Sequence, residues 1–221
     1  FKMNIECDFV WPESENFDEY KAIFVPALYA APDELLEKLK QYTANGGTLV
    51  ATFKIAFANE NIKVSHEMQP HILSNCFGVS YQQFTFPKNT GLTGSIINGT
   101  ADGAGEKAEA KVFMELLMPQ EAEVLASYDH YNWKEYAAIT KNHYGKGTAV
   151  YIGCMTDDNT LKAVITEALN SAEVEIPEYN WPVIVRKGTN DLGKIVRYIL
   201  NYSAEEQNVV YHGANGKELF S

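Results

Sequence analysis

Five histidines, three cysteines and a surplus of carboxylates are the residues of this 221-residue chain whose types are suited to chemistry. His66 and Glu67 lie close to His71 in sequence, a grouping that suggests metal ligation, but the spacing matches no standard ligand set and reads as solvated or capping residues. His143 precedes Gly145-Lys146-Gly147 and reads as a structural residue of a hairpin. Cys154 follows Tyr151-Ile152-Gly153, where a nucleophile would project from a strand end. A nucleophile elbow, however, needs small residues on both sides, and Met155 and Thr156 follow. Cys7, Cys76 and Cys154 are odd in number and widely spaced, with no C-x-x-C pair, so they read as reduced thiols rather than a disulfide frame or zinc site.

The carboxylates give no stronger signal. Glycoside hydrolysis needs two acids roughly 5 to 9 Å apart across a cleft, and Glu115, Glu121, Glu123 and Glu135 show no such placement. They read as a solvated acidic face. Gly103-Ala104-Gly105 does not sit between a strand and a helix, so it is no phosphate or dinucleotide cradle. Asn98-Gly99-Thr100 and Asn201-Tyr202-Ser203 match the glycosylation sequon, a frequent chance match. No catalytic residue, cofactor site or metal site is assigned.

The elements that would carry these residues are partly legible. Ala22 to Val25 is a short continuous apolar run, the pattern of a strand buried on both faces of a parallel sheet. Pro32 is placed as a first-turn proline, and Asp33, Glu34 and Glu37 put negative charge at the positive end of the helix that follows. Leu35, Leu36, Leu39 and Tyr42 recur at helical spacing, Gly46-Gly47 caps the end, and Thr48 to Phe53 is the next buried strand. This βαβ unit predicts a parallel sheet with a right-handed crossover. Ile5 to Val10 also reads as a strand. Ile72 to Phe77 reads as a short helix capped by Gly78, Val79 to Phe86 as a strand, and Asn98 to Gly105 as a surface loop.

Further along, Val124 to Tyr128, Tyr136 to Thr140 and Ala149 to Gly153 read as antiparallel strands at the sheet edge. Asp157-Asp158 opens a last helix with Leu161, Val164, Ile165, Ala168 and Leu169 on one face. Beyond Pro177 the pattern changes to short strand-like runs, Val183 to Val185, Ile195 to Leu200 and Val209 to Tyr211, separated by turns. That is the opening of an all-β module.

Composition supports an ordered, globular chain: 46% of residues are hydrophobic and 21% charged. The formal net charge is −11, which argues against nucleic acid or an anionic membrane as partner. It is unevenly spread. Residues 177–221 hold five basic and five acidic residues, leaving 18 − 5 = 13 basic and 29 − 5 = 24 acidic residues in 1–176. No run approaches the roughly 18 apolar residues of a membrane span. The expectation is a soluble, cytoplasmic protein. Residue 1 is Phe, and the chain reads as an excised piece whose targeting information, if any, lies upstream.

The order of motifs carries a resemblance. Asp8-Phe9-Val10, then Tyr20 to Tyr29, then Gly46-Gly47-Thr48-Leu49-Val50-Ala51-Thr52-Phe53, then His143-Tyr144-Gly145-Lys146-Gly147 with Tyr151-Ile152-Gly153, resembles the trimerisation domain of glycoside hydrolase family 42 β-galactosidases. The resemblance covers about residues 5 to 172, and the stretch after Pro177 looks like the start of that family's C-terminal β-sandwich.

It implies an α/β fold, a flavodoxin-like three-layer sandwich with a mostly parallel sheet related to class I glutamine amidotransferases, over residues 1–176 with its first strand and helix missing. Residues 177–221 would be a partial all-β module. It also implies a homotrimer, and a catalytic barrel that this chain lacks. Where amidotransferases place a cysteine elbow, Lys54-Ile55-Ala56 stand here, so the resemblance implies no nucleophile.

The expected function is therefore the non-catalytic assembly portion of a β-galactosidase. The segment from Lys54 to Glu67, with Lys54, Asn59, Asn61, His66 and Glu67, is the expected contact with the barrel or a neighbouring subunit. Two other classes stay open at this point. One is a cysteine hydrolase of amidotransferase type using Cys154 or Cys76, and the other is a carbohydrate-binding module using Tyr131, Trp133 and Tyr136.

Overall fold

The computed structural model describes residues 1–98, 108–211 and 216–217. The chain divides into two compact units, one of residues Phe9–Glu175 and one of Phe1–Asp8 with Ile176–Ser221.

In the larger unit, β1 (Ala22–Val25) leads to α1 (Asp33–Ala44) and β2 (Thr48–Thr52), followed by a 3-10 turn at His71–Leu73 and α2 (Ser74–Phe77). Then come β3 (Val79–Ser80), β4 (Phe84–Thr85), β5 (Gly91–Thr93), α3 (Ser95–Asn98), β6 (Ala110–Glu115) and β7 (Met118–Pro119). The unit closes with β8 (Glu123–Asp129), β9 (Ala137–Tyr144), β10 (Gly147–Ile152), β11 (Cys154–Thr156) and α4 (Asp158–Ser171).

Six strands form one sheet in the order β1-β2-β10-β9-β8-β5. The β1-β2 and β2-β10 pairings are parallel, whereas β10-β9, β9-β8 and β8-β5 are antiparallel. The sheet is thus mixed rather than mostly parallel, and the reason is connection length: only β1 to β2 is joined through a crossover helix, while β9 to β10 turns back through Gly145-Lys146. The three β8-β10 strands were expected at an edge. β10 instead lies between β2 and β9 with all six residues buried.

The edges fall to β1 and β5, and in β1 Phe24 is 41% exposed, so its apolar run does not mean burial on both faces. A lesser β11-β6-β4 sheet and a β3-β7 pair complete the unit. Val79 to Phe86 is two short strands in different sheets instead of one.

Alternation along the central strands divides the core in two. Leu49, Ala51, Ala149 and Tyr151 join Leu35, Leu36, Leu39 and Tyr42 of α1 and Phe77 of α2. Val50, Val150 and Ile152 join Val164 and Ala168 of α4 with Ile139 and Met114. Period-two side-chain direction in strands and helical spacing in α1 and α4 together produce this arrangement.

Pro32 is the residue before α1 rather than inside its first turn, and its carbonyl accepts from Leu35 N at 3.1 Å. In α4, Leu161 is exposed and Thr160 takes the buried place beside the cap. Asp157 caps α4, its side chain accepting from Thr160 N at 2.9 Å.

In the smaller unit, β12 (Val183–Thr189) and β13 (Ile195–Asn201) form an antiparallel hairpin. Val209–Tyr211, the expected third strand, is not a strand. Ile5 to Val10 is not a strand either. Asn4, at φ 61°, is instead buried as a clasp. Its Nδ2 donates to the carbonyls of Tyr179 (2.7 Å) and Val183 (2.8 Å), and its Oδ1 accepts from Val185 N at 2.9 Å. Among the described residues no helix is long and apolar enough to cross a membrane.

Candidate functional site

In open sheets with parallel strands, ligand sites gather beyond the carboxyl ends of the strands, where neighbouring connections part. Here that place is the end of β2. Phe53 N donates to Ile152 O at 2.7 Å, and the chain then turns sharply, with Lys54 at φ 65° and Ala56 at φ 58°. A left-handed conformation at residues other than glycine costs on the order of 1 kcal/mol and needs support from its surroundings.

Lys54 has that support at both ends. Its backbone N–H donates to Glu115 Oε1 at 2.8 Å, and its ammonium lies over the rings of Phe84 (3.4 Å), Phe57 (3.9 Å) and Phe113 (5.1 Å). Partial burial pulls the Lys54 ammonium below its usual range, and the Glu115 carboxylate acts against that.

Glu115 ends β6 and is fully buried, which overturns its reading as part of a solvated acidic face. Its carboxylate accepts from Tyr151 Oη at 2.8 Å as well as from Lys54 N. Its own N–H donates to Gly153 O at 2.7 Å, and its carbonyl accepts from Tyr128 Oη at 2.7 Å. Burial pushes the carboxyl up to about 7, against the Lys54 amide and the Tyr151 and Tyr81 hydroxyls, which hold it down. The usable signal in sequence was a lone acid among Met114, Leu116 and Leu117, which is the setting of a buried carboxyl.

A bulge completes the arrangement. β11 pairs Cys154 with Met114 but Met155 with Lys111, leaving Val112 and Phe113 as extra residues, with Val112 at φ 55°. The bulge leaves Val112 exposed while Phe113 meets Phe53 and Phe84 at centroid distances of 5.3 Å each. Chemically, this elbow presents a cation held on aromatic faces above a buried acid. It offers no thiol or hydroxyl nucleophile.

The other residues of the 54–67 segment serve the loop itself. Asn59 Oδ1 accepts from the amides of Asn61 and Lys63, each at 3.0 Å, which makes it a turn organiser. Asn61 is exposed and its Nδ2 donates to Glu60 Oε1 at 2.9 Å. Glu67 Oε2 lies 2.9 Å from His71 Nδ1, and Asp33 Oδ1, from the first turn of α1, lies 3.3 Å from His71 Nε2. The structure thus brings Glu67 and His71 together and adds Asp33, an acid of the first turn of α1. His66 lines a cleft of about 360 Å³ with Asp33, Asn59 and His71. Lys54 lies apart from this group, on the aromatic rings. Among the described residues no three His, Cys, Asp or Glu side chains are grouped to hold a metal ion.

The two thiols weighed as nucleophiles are buried. Burial pushes Cys76 up to about 11 and Cys154 up to about 12, the opposite of an activated thiol. Tyr131 is exposed, while Trp133 and Tyr136 pack against the core and Trp133 stacks on His130. Glu121, Glu123 and Glu135 are exposed. Gly103-Ala104-Gly105, and the sequon at Asn98 apart from Asn98 itself, lie outside the described residues. Asn98 closes α3 instead of opening the expected loop.

A family profile described as the β-galactosidase trimerisation domain matches residues 1–175. β-Galactosidase LacZ of Heyndrickxia coagulans is 31% identical over 210 residues, covering 93% of this chain and 30% of the relative. β-Galactosidase BgaB of Geobacillus sp. (strain Y412MC61) is 27% identical over 231 residues, covering 98% and 32%. The crystal structure of a β-galactosidase from Bacillus circulans sp. alkalophilus superposes with a TM-score of 0.79 at 23% identity, covering 93% of this chain and 30% of that one. The chain spans about a third of the length of the curated relatives it matches. With its profile match running from the first residue through the end of the larger unit, the chain belongs to the family of β-galactosidase trimerisation domains.

Proposed function

We propose that this chain is the assembly portion of a β-galactosidase, an enzyme acting on terminal β-D-galactosides, and that three copies meet through it in a homotrimer. The catalytic barrel belongs to another part of the protein, and this chain alone is inactive. The observation that carries the non-catalytic reading is the β2 elbow, where Lys54 is committed through its amide to Glu115 and through its ammonium to three phenyl rings. A nucleophile at that turn would need a free side chain and an adjacent base.

The β1-α1-β2 unit and the core clusters formed by alternate residues of its strands support a flavodoxin-like, amidotransferase-like ancestry for residues 1–176. The β12-β13 hairpin supports reading 177–221 as the beginning of a C-terminal β-sandwich. The segment bearing Lys54, Asn59, Asn61, His66 and Glu67 is a contact with the barrel or a neighbouring subunit. Nucleic acid and membrane are not partners, consistent with the charge of −11, and the protein works in the cytoplasm.

Sedimentation equilibrium of the intact gene product tests the assembly claim: a mass of three protomers is expected, and a monomer overturns it. Hydrolysis of a chromogenic β-galactoside by the 221-residue chain alone would overturn the non-catalytic claim.

A further inference from the structure

The aromatic residues at the β2 elbow extend beyond the three that hold Lys54. Tyr29 stacks on Phe57 at 5.3 Å, Phe57 meets Phe84 at 6.1 Å, and Phe84 meets Phe113, which meets Phe53. Five rings from four separate stretches of chain thus form one strip with Lys54 as the charge at its middle. Phe84 is 46% exposed, and Phe86, two residues on, is 77% exposed. Contiguous apolar surface with a central cation marks an interaction site.

A second feature of the same unit has matching chemistry. Phe9 is 95% exposed and Trp11 71% exposed, flanking Val10, which packs on the core. The segment is not loose. Ser14 N donates to Trp11 O at 3.0 Å, Trp11 N donates to Ser14 Oγ at 3.2 Å, and Lys38 Nζ donates to the carbonyls of Pro12 and Ser14. Trp11 is therefore presented on a pinned turn, which lowers the entropy cost of docking. Residues 9–19 contain four acidic residues and no lysine or arginine, opposite in sign to the charge in the strip.

We propose that Phe9 and Trp11 of one copy dock on the aromatic strip around Lys54 of a second copy. The inference rests on the self-association proposed above and names its surfaces. Two different patches, one giving and one receiving, make a heterologous contact, the kind that closes into a ring when the rotation permits. Trp in such a contact is a preferred anchor.

The test uses the intact gene product in a Cys7→Ser background. One tagged preparation carries Glu13→Cys, which leaves Phe9 and Trp11 in place on an exposed position of the same turn, and a differently tagged one carries Phe86→Cys; they are mixed, allowed to exchange subunits and oxidised. A covalent heterodimer carrying both tags is expected, together with at least tenfold weaker assembly of Trp11→Ser in sedimentation. A trimeric wild type, together with no heterodimer from the cysteine pair and unchanged assembly of Trp11→Ser, overturns the docking while self-association stands. Protection of Phe86→Cys from thiol reagents in dissociated single subunits also overturns it, by assigning the strip to another part of the same chain. A wild-type monomer removes the self-association on which the docking rests.

Discussion

The backbone amide of Lys54 donates to Glu115 Oε1 at 2.8 Å, which ties the end of a central parallel strand to a carboxyl at the end of β6. The bond exists because a strained turn needs an acceptor and a buried acid needs donors. Each solves the other's cost.

Glu115 gives this unit a pH dependence of definite sign. Its folded value, about 7, lies above the ordinary glutamate value of 4.5, so the folded state holds the proton longer. Its contribution is present at low pH and is lost as pH rises from about 4.5 to about 7, amounting to about 3 kcal/mol at 1.36 kcal/mol per unit. In urea unfolding at pH 5 and pH 8, Glu115→Gln is expected to gain stability over the parent between the two pH values. A constant difference would show that the carboxyl titrates normally.

Asp157 carries the opposite dependence. Burial pushes its carboxyl up, but the hydroxyl and amide of Thr160 and the amide of Glu109 outweigh this and hold it below its usual value. The stability it adds is present above the ordinary Asp range and is lost as pH falls through the depressed value. Asp157→Ala is expected to cost about 1 to 2 kcal/mol at pH 7, with the gap to the parent narrowing in acid melts.

The thiols should separate by burial. Cys7 is exposed, while Cys76 and Cys154 are buried with raised values. Native treatment with iodoacetamide at pH 8 is expected to label Cys7 alone by mass spectrometry, with all three labelled in urea. Rapid native labelling of Cys154 would reopen the cysteine-hydrolase reading.

Gly145, at φ 61°, turns β9 into β10, and a Cβ there would lie 2.5 Å from Ala44 O at the end of α1. Gly145→Ala is expected to lower stability by more than 1 kcal/mol, from the conformation together with the collision. Thermal unfolding measures it, and Lys146→Ala in the same turn serves as the neutral control.

The β1-α1-β2 unit was legible because one crossover brings its own punctuation: Pro32 and acids at the start, Gly46-Gly47 at the end, apolar runs on either side. Burial was less legible. An apolar run such as Ala22 to Val25 fits a central strand, but order in the sheet is set by partners far along the chain, and those left β1 at an edge and put β10 inside. The site was hidden for a related reason. Glu115 looks like one more surface acid until β6 is placed, and β6 is disguised by a bulge that breaks the alternation at Val112-Phe113. Lys54 stands out in the sequence as the residue where a nucleophile would be and as the start of the expected contact segment, but nothing near it in sequence points to Glu115 or to the phenyl rings around its ammonium.

The pairing of β2 with β10 sets Thr48 against Thr148 and Thr52 against Ile152, a constant offset of 100 residues. The middle of the sheet therefore forms only when the chain has closed a very long loop, which places this unit among slow, non-local folders. Closure entropy grows only with the logarithm of loop length, about 0.6 kcal/mol per doubling. Lengthening the surface connections between the two strands is thus thermodynamically cheap, whereas removing β10 would leave β2 without one of its two neighbours.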